Sequence, residues 1–372
     1  MRILVACDRL GAMSAAEAGV AIASGWQRTQ PVAELAVAPL GVAGEGFLAA
    51  AAATIGREVE LSGQAGGRIG LLVRGERTRA VGMEVLDAGP PERGIPLTGS
   101  SAAIGHAAAE VLAPDRPDRL LLDLATVHCH DGGAGLLSAL GATADRPLEE
   151  GVGAMAGIGH LDLHPVRERL TGMELLAVVP DAELTQPLLG LRGITSRRGR
   201  EADTDPAELL AVDATLERFA TLAEASAAAV PGAGACGGAA YAIAALGGRI
   251  LSGPQACAEL VGLVEAGAPN GFTETVLQAD LVVTGSSRFD FASRGGGVMR
   301  FVAEQAQLAG TPCIALAGEK VIGAREMRTM GIESAYAVRE AAPSFADEPS
   351  GADVTAEELT ELAARVAHTW QW

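Results

Sequence analysis

The chain is poor in lysine, in aromatic residues and in paired cysteines. Lys320 is the only lysine among 372 residues, and Phe, Trp and Tyr together make up 3%. A core must therefore be built mainly from Ala, Val, Leu and Ile. The five cysteines are odd in number and show no CxxC spacing, which predicts neither a disulfide framework nor a zinc site. We expect a reducing, cytoplasmic location.

Long apolar runs and an excess of positive charge are also missing. No segment reaches the roughly 18 apolar residues that span a bilayer, and the first residues lack a signal-peptide hydrophobic region. The net charge of −18 argues against nucleic acid or an anionic membrane as a partner. A chain of 372 residues exceeds one typical core, so two domains are expected. We predict a monomer or homodimer that binds small molecules.

Two common nucleotide-binding motifs are absent as well. There is no Walker A loop, and no GxGxxG follows the first strand, so the usual dinucleotide-binding domain is disfavoured. Strand and helix patterns nevertheless alternate at both ends. Strands are predicted at Ile3–Ala6 and Glu34–Ala38, and again at Ala279–Gly285 and Pro312–Leu316. This βαβ alternation predicts that the N- and C-terminal parts share one parallel sheet. Ser14 with Glu17, and Thr355 with Glu358, predict capping boxes at two helix starts.

The middle of the chain has a different pattern. Leu71–Val73, Arg79–Val81 and Met83–Val85 are short apolar runs with turns between them, which predicts antiparallel strands and the start of a second domain. The basic stretch Arg197–Arg200 is interpreted as a solvated loop.

The stretch Leu120–Leu137 carries the clearest chemical signal. An apolar strand leads into His128-Cys129-His130-Asp131, and Gly132-Gly133-Ala134-Gly135 then opens a helix. Such a junction gathers unpaired N–H groups at a positive helix end, which suits a phosphate, with Asp131 placed for a metal or a hydroxyl. The alternative is a plain βα connection whose glycines allow close packing. His128 and His130 could serve a metal, but polar loop residues lining a ligand site are favoured.

Other polar residues follow predicted strands. Asp8 and Glu45 lie just beyond strand ends, where open α/β sheets gather their ligands, and Asp181 follows a third strand. The loop Pro231–Gly238 opens another helix, and Thr284-Gly285 ends a strand before Arg288 and Asp290.

Taken in order, these segments resemble the glycerate kinase family, which phosphorylates glycerate with ATP. The landmarks span nearly the whole chain, and their order and spacing carry the resemblance. They are Asp8 with Ser14-Ala15, Gly44-Glu45-Gly46, Asp131–Gly135, Pro187–Gly190, Pro231–Ala235 with Gly237-Gly238, Ala279–Gly285 with Arg288 and Asp290, and Ile314–Gly318.

The resemblance implies an α/β fold of two domains, a discontinuous Rossmann-like parallel-sheet domain and an inserted α/β domain, with the active-site cleft between them. We place the first domain at 1–66 and 280–372 and the insert at 67–279. The implied reaction is in-line transfer of the ATP γ-phosphoryl group to a glycerate hydroxyl, assisted by Mg²⁺.

The resemblance and the loop chemistry together also imply the site residues. The catalytic candidates are Asp8, Asp131, Arg288 and Asp290, of which Asp131 and Asp290 are the Mg²⁺ candidates. The substrate- and phosphate-binding candidates are Glu45, His130, Gly132, Gly133, Asp181, Gly232, Gly234, Gly237, Gly238, Thr284, Gly285 and Arg294.

The chain departs from the family at two lysines. The family's Asp-Ser-Phe-Lys corresponds here to Asp8-Arg9-Leu10-Gly11, and a later Gly-Lys to Gly296-Gly297. One hypothesis is a rewired kinase in which Arg9, Arg288 or Arg294 takes the lysine roles, since arginine also binds phosphate. The alternatives are a non-catalytic member that binds a small organic acid or nucleotide, and a kinase with a changed acceptor.

Overall fold

The computed structural model describes residues 1–44, 46–65, 68–85, 95–112, 116–201, 203–261, 271–340 and 354–370. Its chain divides into unit 1, formed by Met1–Ile55 and Gly253–Trp372, and unit 2, formed by Gly56–Ser252. Unit 1 is thus discontinuous in sequence and unit 2 is inserted into it. None of the helices in the described ranges combines the length and the hydropathy needed to cross a bilayer.

Strands and helices alternate along most of the chain. In chain order they are β1 (Arg2–Cys7), α1 (Ala15–Thr29), β2 (Glu34–Pro39), α2 (Phe47–Ile55), β3 (Arg57–Ala65), β4 (Arg68–Arg74), β5 (Thr78–Val85), α3 (Ala102–Val111), β6 (Arg119–Asp123), α4 (Ala134–Ala139), β7 (Thr143–Ala144), β8 (Leu161–Asp162), α5 (His164–Leu170), β9 (Glu174–Val179), α6 (Ile194–Glu201), α7 (Pro206–Ala223), α8 (Ala239–Ala245), β10 (Arg249–Ser252), α9 (Gly253–Val261), α10 (Gly271–Gln278), β11 (Leu281–Phe289), α11 (Gly297–Ala309), β12 (Cys313–Lys320), α12 (Ala324–Thr329), β13 (Ser334–Glu340) and α13 (Ala356–Ala367).

Unit 1 is built on a parallel sheet with the strand order β13-β12-β11-β1-β2. Val5 of β1 lies opposite Val283 of β11, so the two ends of the chain do share one parallel sheet, as predicted. The capping box predicted from Ser14 and Glu17 is confirmed at the start of α1. These contacts place the residues that follow β1 and β11 at one edge of the sheet.

Unit 2 is built on a mixed sheet with the order β10-β9-β6-β5-β4-β3. The strands from β10 to β5 are parallel, whereas β4 and β3 are antiparallel to their neighbours. The predicted antiparallel region is therefore present, although Arg79–Val81 and Met83–Val85 belong to the single strand β5. The buried strands β6 and β9 run beside each other and end at the same edge of the sheet.

The observed boundaries differ from the predicted 66/67 and 279/280. The structure divides the chain at 55/56 and 252/253 because β3 pairs with β4 in the second sheet. At the other boundary, a Cβ added to Gly253 would lie 2.4 Å from the carbonyl oxygen of Gly41, so α9 starts within unit 1. The stretch Arg197–Arg200, interpreted as a loop, lies in α6, whose Thr195 and Gly199 are buried.

Candidate functional site

In unit 2, the carboxylate of Asp131 is fully buried and accepts four hydrogen bonds from the protein. Its Oδ2 accepts from the N–H and the hydroxyl of Ser101, both at 2.8 Å, and from the N–H of Gly135 at 3.1 Å. Its Oδ1 accepts from the N–H of Gly133 at 2.9 Å. Since Ser101 is the N-cap residue of α3 and Gly133 that of α4, Asp131 ties two helix starts together.

The two glycine-rich loops of unit 2 pack directly on each other. The N–H of Gly132 donates to the carbonyl oxygen of Gly237 at 3.3 Å. A Cβ on Gly238 would lie 2.9 Å from Cα of Gly132, and a Cβ on Gly237 would lie 1.8 Å from the carbonyl oxygen of Cys129. The approach of backbone to backbone here therefore requires residues without a side chain.

The predicted phosphate-binding role does not match the contacts of four glycine N–H groups in these loops. Besides those of Gly132 and Gly133, the N–H of Gly234 donates to Gln186 at 2.9 Å and that of Gly238 to Gly234 at 3.1 Å. At Gly232, with φ +83°, a side chain would be strained by the backbone conformation, and its Cβ would lie in tight contact, 3.0 Å from the carbonyl oxygen of Leu184. Close packing, the alternative interpretation, accounts for these glycines.

His130 is buried between a hydroxyl and a guanidinium group. Its Nε2 lies 3.0 Å from Oγ1 of Thr195, and its Nδ1 lies 3.2 Å from Nη1 of Arg198. Burial, and then the charge of Arg198, lower the pKa of His130 from 6.5 to about 3. The ring is therefore neutral at pH 7, with Nδ1 accepting from Arg198 and Nε2 donating to Thr195. Both ring nitrogens are engaged within the protein, so neither is available to a metal ion in this geometry.

Replacing His130 with glutamine is expected to flatten the pH dependence of stability. Folded His130 binds a proton only near pH 3, whereas the unfolded side chain does so near 6.5, so its stabilising contribution is complete above pH 6.5 and is lost as the pH falls toward 3. Between pH 7 and pH 5 the wild type should lose about 2 kcal/mol more unfolding free energy than His130→Gln. Urea unfolding at both pH values measures this difference, and equal losses would contradict the assignment.

Charged side chains surround the thiol of Cys236. The backbone N–H of Cys236 donates to Oε2 of Glu183 at 2.7 Å, and Glu183 is ion-paired with Arg197. Burial, with the charges of Glu183 and Asp123, raises the pKa of Cys236 well above its ordinary value, against a lowering effect of Arg198 and Arg197. A thiol held protonated in this way is not a nucleophile. Asp123 ends β6, so this cluster lies at the carboxyl end of the sheet.

Sequence reasoning missed most of this cluster. Neither Glu183 nor Cys236 was a candidate, and Arg197 and Arg198 were assigned to a solvated loop. Asp181, which was a candidate, begins a 3₁₀ helix after β9, and Glu183 ends it. The sequence signal that could have found these arginines is the helical pattern of Ile194–Glu201. A helix with a buried face holds both arginines in place, whereas a solvated loop does not.

In unit 1, Asp8 lies at the carboxyl end of the parallel sheet. Its N–H donates to the carbonyl oxygen of Gly285 in β11 at 2.9 Å, and its Oδ1 accepts from the N–H of Arg9 at 2.8 Å. Asp8 and Arg9 line a cavity of about 360 Å³ that also reaches Ser14 at the start of α1 and Gly46 just before α2. The cavity thus joins a carboxylate, a guanidinium group and two helix starts.

The candidates at the carboxyl end of β11 are engaged with each other. Nε of Arg288 lies 3.1 Å from Oδ2 of Asp290, and its Nη1 lies 3.9 Å from Glu319 of β12. Oδ1 of Asp290 accepts from the N–H groups of Ala292 and Ser293, at 2.9 and 3.4 Å. This carboxylate therefore closes a turn and balances an arginine.

Two further candidates of unit 1 have distinct surroundings. The guanidinium carbon of Arg294 lies 5.0 Å from the ring centre of Phe291, a cation–π geometry. Thr284 is fully buried in β11, and its hydroxyl has no hydrogen-bond partner in the described part of the chain. Glu45 lies outside the described residues. The described candidates of unit 1 thus lie in β11 or in the segments that follow β1 and β11.

The proposed Mg²⁺ ligands do not fit a metal in the geometry observed. Both oxygens of Asp131 and both of Asp290 are already engaged with protein donors or with Arg288. Across the ranges that the structure describes, no group of three or more His, Cys, Asp and Glu side chains is arranged to hold a metal ion. The assignment of Asp131 as a metal ligand is therefore replaced by a positioning role at two helix starts.

Known proteins match this chain over nearly its whole length. A family model described as the glycerate kinase family matches residues 3–371. An uncharacterized protein of Mycobacterium bovis is 30% identical over 99% of this chain and 91% of its own. The glycerate 2-kinase of Escherichia coli K12 is 27% identical over 91% of this chain and 90% of its own. A crystal structure of a proposed glycerate kinase 2 from Salmonella typhimurium LT2 matches with a TM-score of 0.76 at 23% identity, over 99% of this chain and 98% of that one.

Proposed function

Because the chain belongs to the glycerate kinase family, we propose that it transfers the γ-phosphoryl group of ATP to a hydroxyl of glycerate. The family match over residues 3–371 is the observation that carries this proposal. The Escherichia coli relative named glycerate 2-kinase supports it. We also propose a cytoplasmic location, which agrees with five buried, unpaired cysteines, and a monomer or homodimer.

The cavity at Asp8 is our candidate site for the acceptor. Its volume of about 360 Å³ suits a three-carbon acid, and small-ligand pockets generally start near this size. The carboxylate of Asp8 would orient the reacting hydroxyl, and the guanidinium group of Arg9 would balance the carboxylate of glycerate. The start of α1 adds a partial positive charge at the same place.

Arg288 is our candidate for balancing phosphoryl charge in unit 1. It lies at the carboxyl end of β11, the strand whose Gly285 accepts the hydrogen bond from Asp8. Fixed cationic groups lower the barrier of phosphoryl transfer because charge is spread over the phosphoryl oxygens in the transition state. Mg²⁺ would share this task, but the carboxylates of Asp131 and Asp290 are already engaged with protein groups in the geometry observed.

A coupled assay of ADP release with D-glycerate and Mg²⁺-ATP tests the proposal. Turnover that depends on both glycerate and ATP is the expected result. Folded protein without turnover above background would refute the kinase assignment. In that case binding of glycerate or ATP, measured by calorimetry, would identify a non-catalytic binding member. The replacement of two family lysines favours this alternative. Activity confined to other acids in a panel of hydroxy acids would identify a changed acceptor.

Replacing Asp8 with asparagine is expected to lower kcat about tenfold to a hundredfold, because an amide orients the hydroxyl less well and accepts no proton. The unfolding free energy should change little, since Asp8 is only half-buried. Glu361→Gln removes the same charge from an exposed position of α13 and is the matched control. Equal kcat values for the two variants would exclude Asp8 from the site.

A further inference from the structure

Arg197 and Arg198 are consecutive residues of α6 in unit 2. Nη2 of Arg197 is paired with Glu183, but its Nε is buried and has no hydrogen-bond partner in the described part of the chain. Nη1 of Arg198 donates to the carbonyl oxygen of Cys129 and lies 3.2 Å from Nδ1 of His130. Donor capacity on both side chains is therefore left over.

The hydrogen-bond partners of Arg198 in the described part of the chain are neutral. The carbonyl oxygen of Cys129 carries no net charge, and His130 is neutral above its lowered pKa. No carboxylate within the described ranges forms an ion pair with Arg198, whereas Glu183 balances Arg197. A half-buried guanidinium group without a counter-ion is costly, because burial removes the water that would otherwise stabilise its charge.

The pair also lies where α/β sheets place their ligands. Both arginines act on the thiol of Cys236 together with Asp123, the last residue of β6. β6 runs parallel to β9, and Asp181 and Glu183 directly follow β9. Ligands of open parallel sheets bind beyond the carboxyl ends of the strands, which is the position of this pair.

We propose that Arg197 and Arg198 form a subsite for a small oxyanion. An oxyanion supplies acceptors for the unused guanidinium donors and a counter-charge for Arg198. The subsite rests on the proposed function only for the identity of its ligand, which is either a phosphoryl group of the nucleotide or the carboxylate of the acid.

Titration calorimetry of the full chain tests the subsite without any turnover. Inorganic phosphate and D-glycerate are titrated separately into the wild type, Arg197→Gln, Arg198→Gln and Arg200→Gln. We expect at least one anion to bind the wild type and to bind Arg197→Gln and Arg198→Gln at least tenfold more weakly. Arg200 lies on the same helix, is exposed and donates to Leu191, so Arg200→Gln is the matched control and should bind like the wild type.

If the arginine variants bind phosphate more weakly, the ligand is a phosphoryl group. If they bind D-glycerate more weakly, the ligand is a carboxylate. Absence of binding to the wild type at millimolar anion, or equal affinities in all four proteins, would overturn the subsite. Thermal unfolding of each variant separates a lost subsite from lost folding, and Arg197→Gln serves alone if Arg198→Gln does not fold. Anion binding that depends on the arginines, without any turnover, would refute the kinase assignment and support the subsite. Turnover together with anion binding that does not depend on the arginines would support the kinase assignment and refute the subsite.

Discussion

Replacing Gly237 with alanine is expected to prevent unit 2 from folding stably. The new Cβ would lie 1.8 Å from the carbonyl oxygen of Cys129 and 2.9 Å from Nη1 of Arg198. The carbonyl group cannot move away easily, because Arg198 donates to it and the thiol of Cys129 donates to Cys236. Gly237 also has φ +69°, which strains an alanine. We expect a loss of more than about 4 kcal/mol, measured by urea unfolding followed by circular dichroism.

Gly247→Ala separates the clash from the backbone strain. Gly247 has φ +83°, similar to Gly237, but a Cβ there would meet nothing within 4 Å. Only the strain of the left-handed conformation remains, which costs about 1–2 kcal/mol. Similar losses in the two variants would show that the loops separate readily and that their packing is not specific.

Replacing Asp131 with asparagine is expected to destabilise unit 2 by about 2–3 kcal/mol. Oδ2 accepts three hydrogen bonds, so the amide oxygen of asparagine takes that position and its NH₂ group faces the N–H of Gly133. Two buried donors then face each other without an acceptor.

Asp145→Asn is the matched control for this change. Asp145 also accepts hydrogen bonds from backbone N–H groups, those of Gly159 and His160, but it is exposed to solvent. Water can replace the lost acceptor there, so the expected cost is below about 1 kcal/mol. Equal costs at the two positions would contradict the role of burial and would refute the anchoring role of Asp131.

Patterns that follow one physical rule predicted the fold well. The alternation of apolar strands and helices predicted that β1 and β11 share a parallel sheet, and their pairing confirms it. Ser14 and Glu17, and likewise Thr355 and Glu358, predicted helix starts because the capping box satisfies two backbone donors at once. Such local rules act on neighbouring residues and so can be recognised without knowledge of tertiary contacts.

The chemistry of the glycine-rich loops could not be predicted in the same way. A loop that binds phosphate and a loop that packs against another loop both need glycine at positive φ, so Gly132 and Gly238 have the same sequence signature in either case. Only the acceptor of each N–H group distinguishes the two, and for these residues it lies in the protein. Similarly, Arg198 appeared solvated because its partners, Cys129 and His130, are about 70 residues away in sequence.

The insertion of Gly56–Ser252 between α2 and α9 makes the order of folding matter. β1 and β11 must meet across this insert, and loop closure costs about 0.6 kcal/mol for each doubling of loop length. With the insert unfolded, unit 1 closes a loop more than four doublings longer than a ten-residue link, at a penalty of roughly 2–3 kcal/mol. A folded insert fixes the distance between its own ends and removes most of that penalty. Folding of unit 2 should therefore lower the cost of pairing β1 with β11 in the sheet of unit 1.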